Sequence, residues 1–128
     1  MDESTNLEEL LNKENIVITD DLIELIGCKG SAKEATLAVN HPSCNDEHIL
    51  LLLFTVVKSS NINVFDFIIT YHYPEMLEHD LVYISMLVNR VVESEYSHSM
   101  ISTLLKSESF RNPLKENYLS YLESLLGG

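Results

Sequence analysis

The hydrophobic pattern of the chain is most concentrated between Asp46 and Ser59, in the segment DEHILLLLFTVVKS. Within it, positions 49–57 contain a single polar residue, Thr55. A helix this apolar has no face left for water, so we expect it to be buried on nearly all sides. The segment is too short to cross a bilayer, which takes about 20 residues. It therefore predicts a central helix inside a helical core.

Three shorter helices are predicted before this segment, each from an N-terminal capping residue followed by an apolar row. The caps are Thr5 with Glu8, then Thr19 or Asp20, then Ser31 with Glu34. The corresponding ends are near residue 13, at Gly27 or Gly30, and at Asn40-His41-Pro42. The central helix itself has Ser43 or Asn45 as its expected cap.

Four more helices are predicted after the central one. Asn63 is expected to cap the first of them, the next two cover residues 81–93 and 97–106, and a short turn fills residues 74–80. For the last helix, Asn112 is the expected cap, Pro113 the first helical residue, and Gly127 the residue after its end. About eight helices and no convincing strand pair predict an all-α domain.

The two halves of this pattern are similar to each other. A shift of 35 residues places Leu52, Leu53, Val56 and Val57 on Leu87, Val88, Val91 and Val92, and places Phe65 and Ile69 on Met100 and Leu104. Each half is then a long apolar helix followed by a shorter amphipathic one. A period in this range is typical of helical-repeat proteins.

The end of the chain also resembles the closing unit of armadillo or HEAT-like proteins. The resemblance comes from the leucine-rich helix Ile101–Lys106, then Arg111-Asn112-Pro113 at a turn, then Tyr118, Leu122 and Leu125. It implies a protein-binding scaffold without an active site. The alternative fold is a compact multi-helix bundle around the buried central helix, as in Bcl-2-like regulators.

Length and composition fit a single folded domain over residues 1–128. Hydrophobic residues make up 45% of the chain and charged residues 22%, a globular composition. The net charge is −12, which repels phosphate backbones and attracts basic partners. We therefore expect no direct nucleic-acid binding, although an acidic inhibitor that mimics nucleic acid is an alternative. The acidic N-terminus and only two cysteines predict an intracellular protein without a membrane segment.

The residues that could carry chemistry are few. His41, Cys44 and His48 have a spacing that a zinc site could use, with Cys28 as a fourth ligand, but paired Cys-x-x-Cys ligands are absent. A helix-capping loop explains the same residues, so we expect no metal and keep zinc as the minor alternative. The chain also has no glycine-rich phosphate loop and no nucleophile signature. It is accordingly predicted to be neither an enzyme nor a cofactor-binding protein.

Aromatic residues cluster between Phe65 and Tyr73. Phe65 and Tyr73 cannot share one helix face with Phe67 and Tyr71, so one subset is expected to be exposed. We predict partner contacts by Phe65, Tyr71 and Tyr73. The sequence then indicates a non-enzymatic protein-protein interaction module, or adaptor, whose helical surface holds a basic or amphipathic segment of another protein.

Overall fold

The computed structural model describes residues 9, 11, 17–111 and 116–127. Helices and their connections account for all of these residues, and none of them lies in a strand. The predicted all-α class is therefore confirmed. The helices are α1 (Asp20–Lys29), α2 (Ala32–Val39), α3 (Asp46–Ser59), α4 (Ile62–Tyr71), α5 (Met76–His79), α6 (Leu81–Glu93), α7 (Ser97–Lys106), α8 (Glu108–Arg111) and α9 (Glu116–Gly127).

The central helix α3 has the bounds that its sequence predicts. Asn45 accepts a hydrogen bond from the backbone N–H of His48, and the His48 ring accepts one from Asn45 in return. Ser60 ends the helix in the left-handed conformation, at φ 59°. The middle of this helix is buried on most sides, as expected, and none of residues 49–57 is fully exposed. Leu50, Leu52, Leu53, Val56 and Val57 are buried, whereas Ile49, Leu51, Phe54 and Thr55 are partly exposed.

Some of the other helix ends lie where they were predicted, and others do not. Thr19 caps α1, and Ser31 forms a capping box with Glu34 at the start of α2. Helix α4 begins two residues earlier than predicted, with Asn61 rather than Asn63 at the N-cap. The Asn61 side chain makes no capping bond, because it reaches back to the end of α1.

Several predictions fall at the edges of the described residues. Glu9 and Leu11 are helical, as expected for the first predicted helix, but the rest of that helix lies outside the described residues. Asn112 and Pro113, the predicted start of the last helix, lie outside them as well. The short helices α5 and α8 were not predicted, and Gly127 is the last residue of α9 instead of the first residue after it.

Helices α1, α3 and α6 form one layer in which all three run in the same direction. At their N-terminal ends, His48 Nε2 lies 4.0 Å from Asp20 Oδ1. At their C-terminal ends, the Ser59 hydroxyl donates to the Gly27 carbonyl at 2.7 Å. Helix α6 continues the layer on the other side of α3, because the Arg90 guanidinium lies 5.7 Å from the centre of the Phe54 ring.

Helices α2, α4 and α7 form the second layer. Each of them follows a first-layer helix after a short turn and packs against it, so the two layers run in opposite directions. Within the second layer, α2 contacts α4, and the Thr103 hydroxyl on α7 donates to Asp66 Oδ1 on α4 at 2.6 Å. Helix α9 packs against α7, and His98 Nε2 lies 3.3 Å from the Leu125 carbonyl oxygen.

The core lies between the two layers. Its largest fully buried side chains include Ile23, Ile26, Leu52, Leu53, Phe65, Ile68, Ile84, Leu87 and Met100. Helix α1 approaches α3 most closely at Gly27, where an added Cβ would lie 2.5 Å from Thr55 Cγ2. Glycine is therefore required at this position by the contact between the helices.

Candidate functional site

Phe65 was predicted to contact a partner, and its position in the structure contradicts that prediction. Its side chain has no exposed area and lies on the core side of α4. The α4 helix places Phe65 in line with Ile68 and Ile69, which are also buried. A residue on this face cannot meet another protein while the domain is folded.

Tyr71 is the exposed member of the predicted aromatic set. It is 74% exposed at the last position of α4, with its ring centre 6.0 Å from that of Phe67. The Phe67 ring lies 4.9 Å from the ring of His72, and partial burial lowers the pKa of His72. Tyr71 therefore remains available for a partner, at the edge of a small aromatic group.

Tyr73 belongs to the core edge rather than to the surface. Its ring meets the buried Phe110 edge to face at 6.4 Å. Burial, and then the negative charge of Glu78, raise the pKa of its hydroxyl. That hydroxyl is buried and has no hydrogen-bond partner among the described residues. Only part of the Tyr73 side chain is accessible to a partner.

The residues weighed as zinc ligands have other roles. His41 Nδ1 accepts the backbone N–H of Ser43 at 3.1 Å, and His48 Nδ1 accepts that of Asn45 at 3.1 Å. Across the described part of the chain, no three His, Cys, Asp or Glu side chains come together as metal ligands. The four residues Cys28, His41, Cys44 and His48 therefore do not form the zinc site of the minor alternative.

Ser43 and His41 form a serine-histidine contact that resembles a nucleophile with a base. The Ser43 hydroxyl lies 2.9 Å from His41 Nδ1, but it also accepts the backbone N–H of Ile18 at 2.8 Å. These bonds join the segment before α1 to the loop before α3. In the same loop, burial raises the pKa of Cys44 to about 11, so its thiol is protonated and unreactive at neutral pH.

Several large apolar side chains are exposed on the outward side of the α1–α3–α6 layer. We define the α1–α3–α6 face by Asp21 and Leu25 on α1, by Glu47, Leu51, Phe54 and Lys58 on α3, and by Val82 and Met86 on α6. Val82 is 67% exposed, and Leu25 and Met86 are about as exposed as each other. Leu51 and Phe54 are partly exposed between them.

Sequence reasoning missed this face, although a signal for it was present. Val82 and Met86 are four residues apart, on the side of α6 opposite the buried Ile84 and Val88. Leu81, the first residue of α6, is also exposed. Two apolar rows on one helix indicate that the second row is open to solvent or to a partner.

A separate cleft of about 510 Å³ lies on the second layer, between α4 and the α7–α8 connection. Its lining is mostly polar: Asp66, Ile69, Thr70, Thr103, Lys106, Ser107, Glu108 and Ser109. Ligand pockets in proteins are usually lined by apolar side chains with a few polar groups. This cleft is therefore a weaker candidate than the apolar face.

Comparisons with known proteins give no family for this chain. No protein-family model, curated protein or solved structure matches the chain. Within the described ranges, no helix combines the length and the hydropathy that crossing a membrane requires.

Proposed function

We propose that this chain is a non-enzymatic interaction module that works inside the cell and binds another protein through its helical surface. The observation that carries the proposal is the exposed apolar surface of a two-layer helical stack in a chain of net charge −12. Large apolar side chains on a soluble domain are typical of sites that bind other proteins. The many carboxylates favour a basic or amphipathic partner.

The order of the helix contacts supports a helical-repeat scaffold of the armadillo or HEAT kind. The Ser60 and Ser94 hydroxyls, 34 residues apart in sequence, lie 3.4 Å apart. Asp66 and Thr103, 37 residues apart, are hydrogen bonded. Both separations are close to the 35-residue shift in the sequence. In repeat proteins, equivalent positions of neighbouring units are stacked in this way.

A Bcl-2-like regulator is less well supported. Such a bundle would enclose its central helix on all sides. Helix α3 contacts α1, α4 and α6, and it keeps Leu51 and Phe54 partly exposed. Both interpretations fit a compact arrangement of helices, and we favour the repeat scaffold because of the contacts at 34 and 37 residues of separation.

The test is to isolate a partner by affinity purification and to measure its binding kinetics. We expect association to slow severalfold when salt rises from about 20 to about 150 mM, because exposed charges are then screened. Tyr71→Ala should speed dissociation and leave the melting temperature unchanged, since Tyr71 is mostly exposed. Association that is independent of salt would contradict the proposed part played by charge.

A further inference from the structure

Apolar side chains form a belt across all three helices of the α1–α3–α6 face. Gly27 lies beside Thr55, and Phe54 lies beside Arg90, so α1 and α6 flank the C-terminal half of α3. Leu25 and Met86 precede these contacts on α1 and α6 and are 40% and 39% exposed. Phe54 lies between them and is partly exposed.

The two borders of this belt differ in charge. The N-terminal border has exposed carboxylates: Asp20, Asp21 and Glu47, with Glu75 beside Asp46. The C-terminal border has Lys29, Lys58 and Arg90, but Glu93 and Glu95 lie beside Lys58 and Arg90 and offset most of their charge. Each helix N-terminus offsets only about half a unit of negative charge, so the acidic border keeps a strong net charge.

We propose that the α1–α3–α6 face is the docking site for a basic amphipathic helical segment of a partner protein. Its apolar side would cover the belt, and its lysines or arginines would face the acidic border. Neighbouring helix axes are about 8–10 Å apart, so the belt is roughly 16–20 Å long, which matches about 11–13 residues of helix. This assignment rests on the proposed function and adds the surface and the chemistry of the partner.

A second copy of the chain fits the face less well. It would bring another net charge of −12, and on its own C-terminal border Glu93 and Glu95 offset most of the charge of the cations. A basic segment instead neutralises the acidic border. Charge complementarity therefore selects a basic partner over self-association.

The experiment uses a synthetic, labelled peptide of about 16 residues, with leucines at helical spacing and lysines elsewhere. Its binding to the full chain is measured by fluorescence anisotropy. Two control peptides are a scrambled sequence of the same composition and a version with glutamate in place of lysine. We expect the amphipathic lysine peptide to bind at least about tenfold more tightly than either control.

Matched variants locate the site. Met86→Ser should weaken binding by roughly fivefold or more, whereas Leu126→Ser on α9 should change it less than about twofold. The two side chains are 39% and 38% exposed, so they differ in location and not in accessibility. Glu47→Lys and Glu123→Lys change the net charge equally, and only Glu47→Lys should weaken binding strongly. Thermal melts verify that every variant is folded.

Three outcomes would overturn the assignment. They are equal binding of the scrambled peptide, equal losses for the matched variants, and a dimer in sedimentation that Met86→Ser dissociates. A failure here is distinguishable from a failure of the proposed function. A natural partner whose binding depends on Tyr71 but not on Met86 would retain the function and reject this face.

Discussion

The α1–α3 and α3–α6 junctions both join parallel helices of the first layer, but they are built from different contacts. At the first, Gly27 allows the two backbones to approach closely, and the Ser59 hydroxyl binds the Gly27 carbonyl. At the second, Arg90 lies over Phe54, and a cleft of about 320 Å³ opens beside Ser60 and Ser94. The first junction therefore fixes the fold, while the second leaves side chains near the surface.

The difference shows how one layer can serve both stability and binding. Close packing with satisfied hydrogen bonds stabilises a junction, since each buried contact depends on its neighbours. A junction with exposed side chains contributes less to stability and keeps them available to a partner. Substitutions at the two junctions should consequently have very different effects.

The largest expected effect on stability comes from placing a charged side chain in the core beside the closely packed α1–α3 junction. Leu52→Asp or Val56→Asp should unfold the domain, because both side chains are fully buried. A buried unpaired carboxylate costs several kcal/mol, against a total stability of about 5–15 kcal/mol. Urea melts followed by circular dichroism are the measurement, and Leu25→Asp, on the outward side of α1, is the folded control. Wild-type midpoints for both core variants would contradict the assignment of α3 to the core.

A methyl group at Gly27 should have the next largest effect. The new Cβ would lie 2.5 Å from Thr55 Cγ2 and 2.7 Å from Thr55 Cβ, so the helices would have to separate. We expect Gly27→Ala to destabilise the domain by about 1–3 kcal/mol in denaturant melts, despite its better helix propensity.

A double-mutant cycle separates this clash from other effects of alanine. Thr55→Ser removes Cγ2 and keeps the hydroxyl that donates to the Leu51 carbonyl. Added to Gly27→Ala, it should recover part of the lost stability, with a favourable coupling energy. Strict additivity of the two changes would show that Thr55 is not what limits the size of residue 27.

Hydrogen bonds at the two junctions provide a smaller, paired test. The Asn61 side chain donates to the Gly27 and Gly30 carbonyls at 3.2 and 3.0 Å. Asn61→Ala should cost about 1–2 kcal/mol, because it removes two bonds from the end of α1. Ser94→Ala removes the 3.4 Å contact with Ser60 and the 3.3 Å bond that the Ser94 hydroxyl accepts from the Tyr96 N–H, and it should cost only about 0.5 kcal/mol because both contacts are long and partly exposed. Equal losses in urea melts would mean that the two junctions do not differ as described.

The sequence predicts the helices that form these junctions more accurately than the contacts between the helices. The bounds of α3, α6 and α7 follow from local signals, namely caps, apolar rows and breakers, and those signals are printed in the sequence. The contact between Gly27 and Thr55 joins residues on different helices, so no local sequence pattern predicts it. The sequence instead predicts Gly27 or Gly30 as the end of α1, and the structure shows that the C-cap is Gly30.

The candidate site was harder to predict for a related reason. The sequence shows that Phe65 and Tyr71 are both aromatic, but it does not show which of them is exposed. The packing of α4 against the core decides this, since Phe65 is buried and Tyr71 is exposed. The partly exposed side of α3 was not predicted, because it depends on how many other helices pack against α3. The sequence of α3 alone does not contain that information. Apolar residues on an exposed face look like core residues in a sequence.

The smallest expected effect concerns the two cysteines, which lie beside the first layer in different environments. Cys28 is exposed on α1, whereas Cys44 is partly buried and packs against the core. Iodoacetamide reacts with the thiolate, and burial raises the pKa of Cys44 from 9.0 to about 11. At pH 8 we expect mass spectrometry to find Cys28 alkylated well before Cys44.

The raised pKa also means that Cys44 favours folding below pH 9, and that this contribution is lost as the pH rises toward 11. Cys44→Ala should therefore show a weaker loss of stability between pH 9 and 11 than the wild type. Equal alkylation rates in the folded protein would place Cys44 at the surface, and the packing of the loop before α3 would then be wrong.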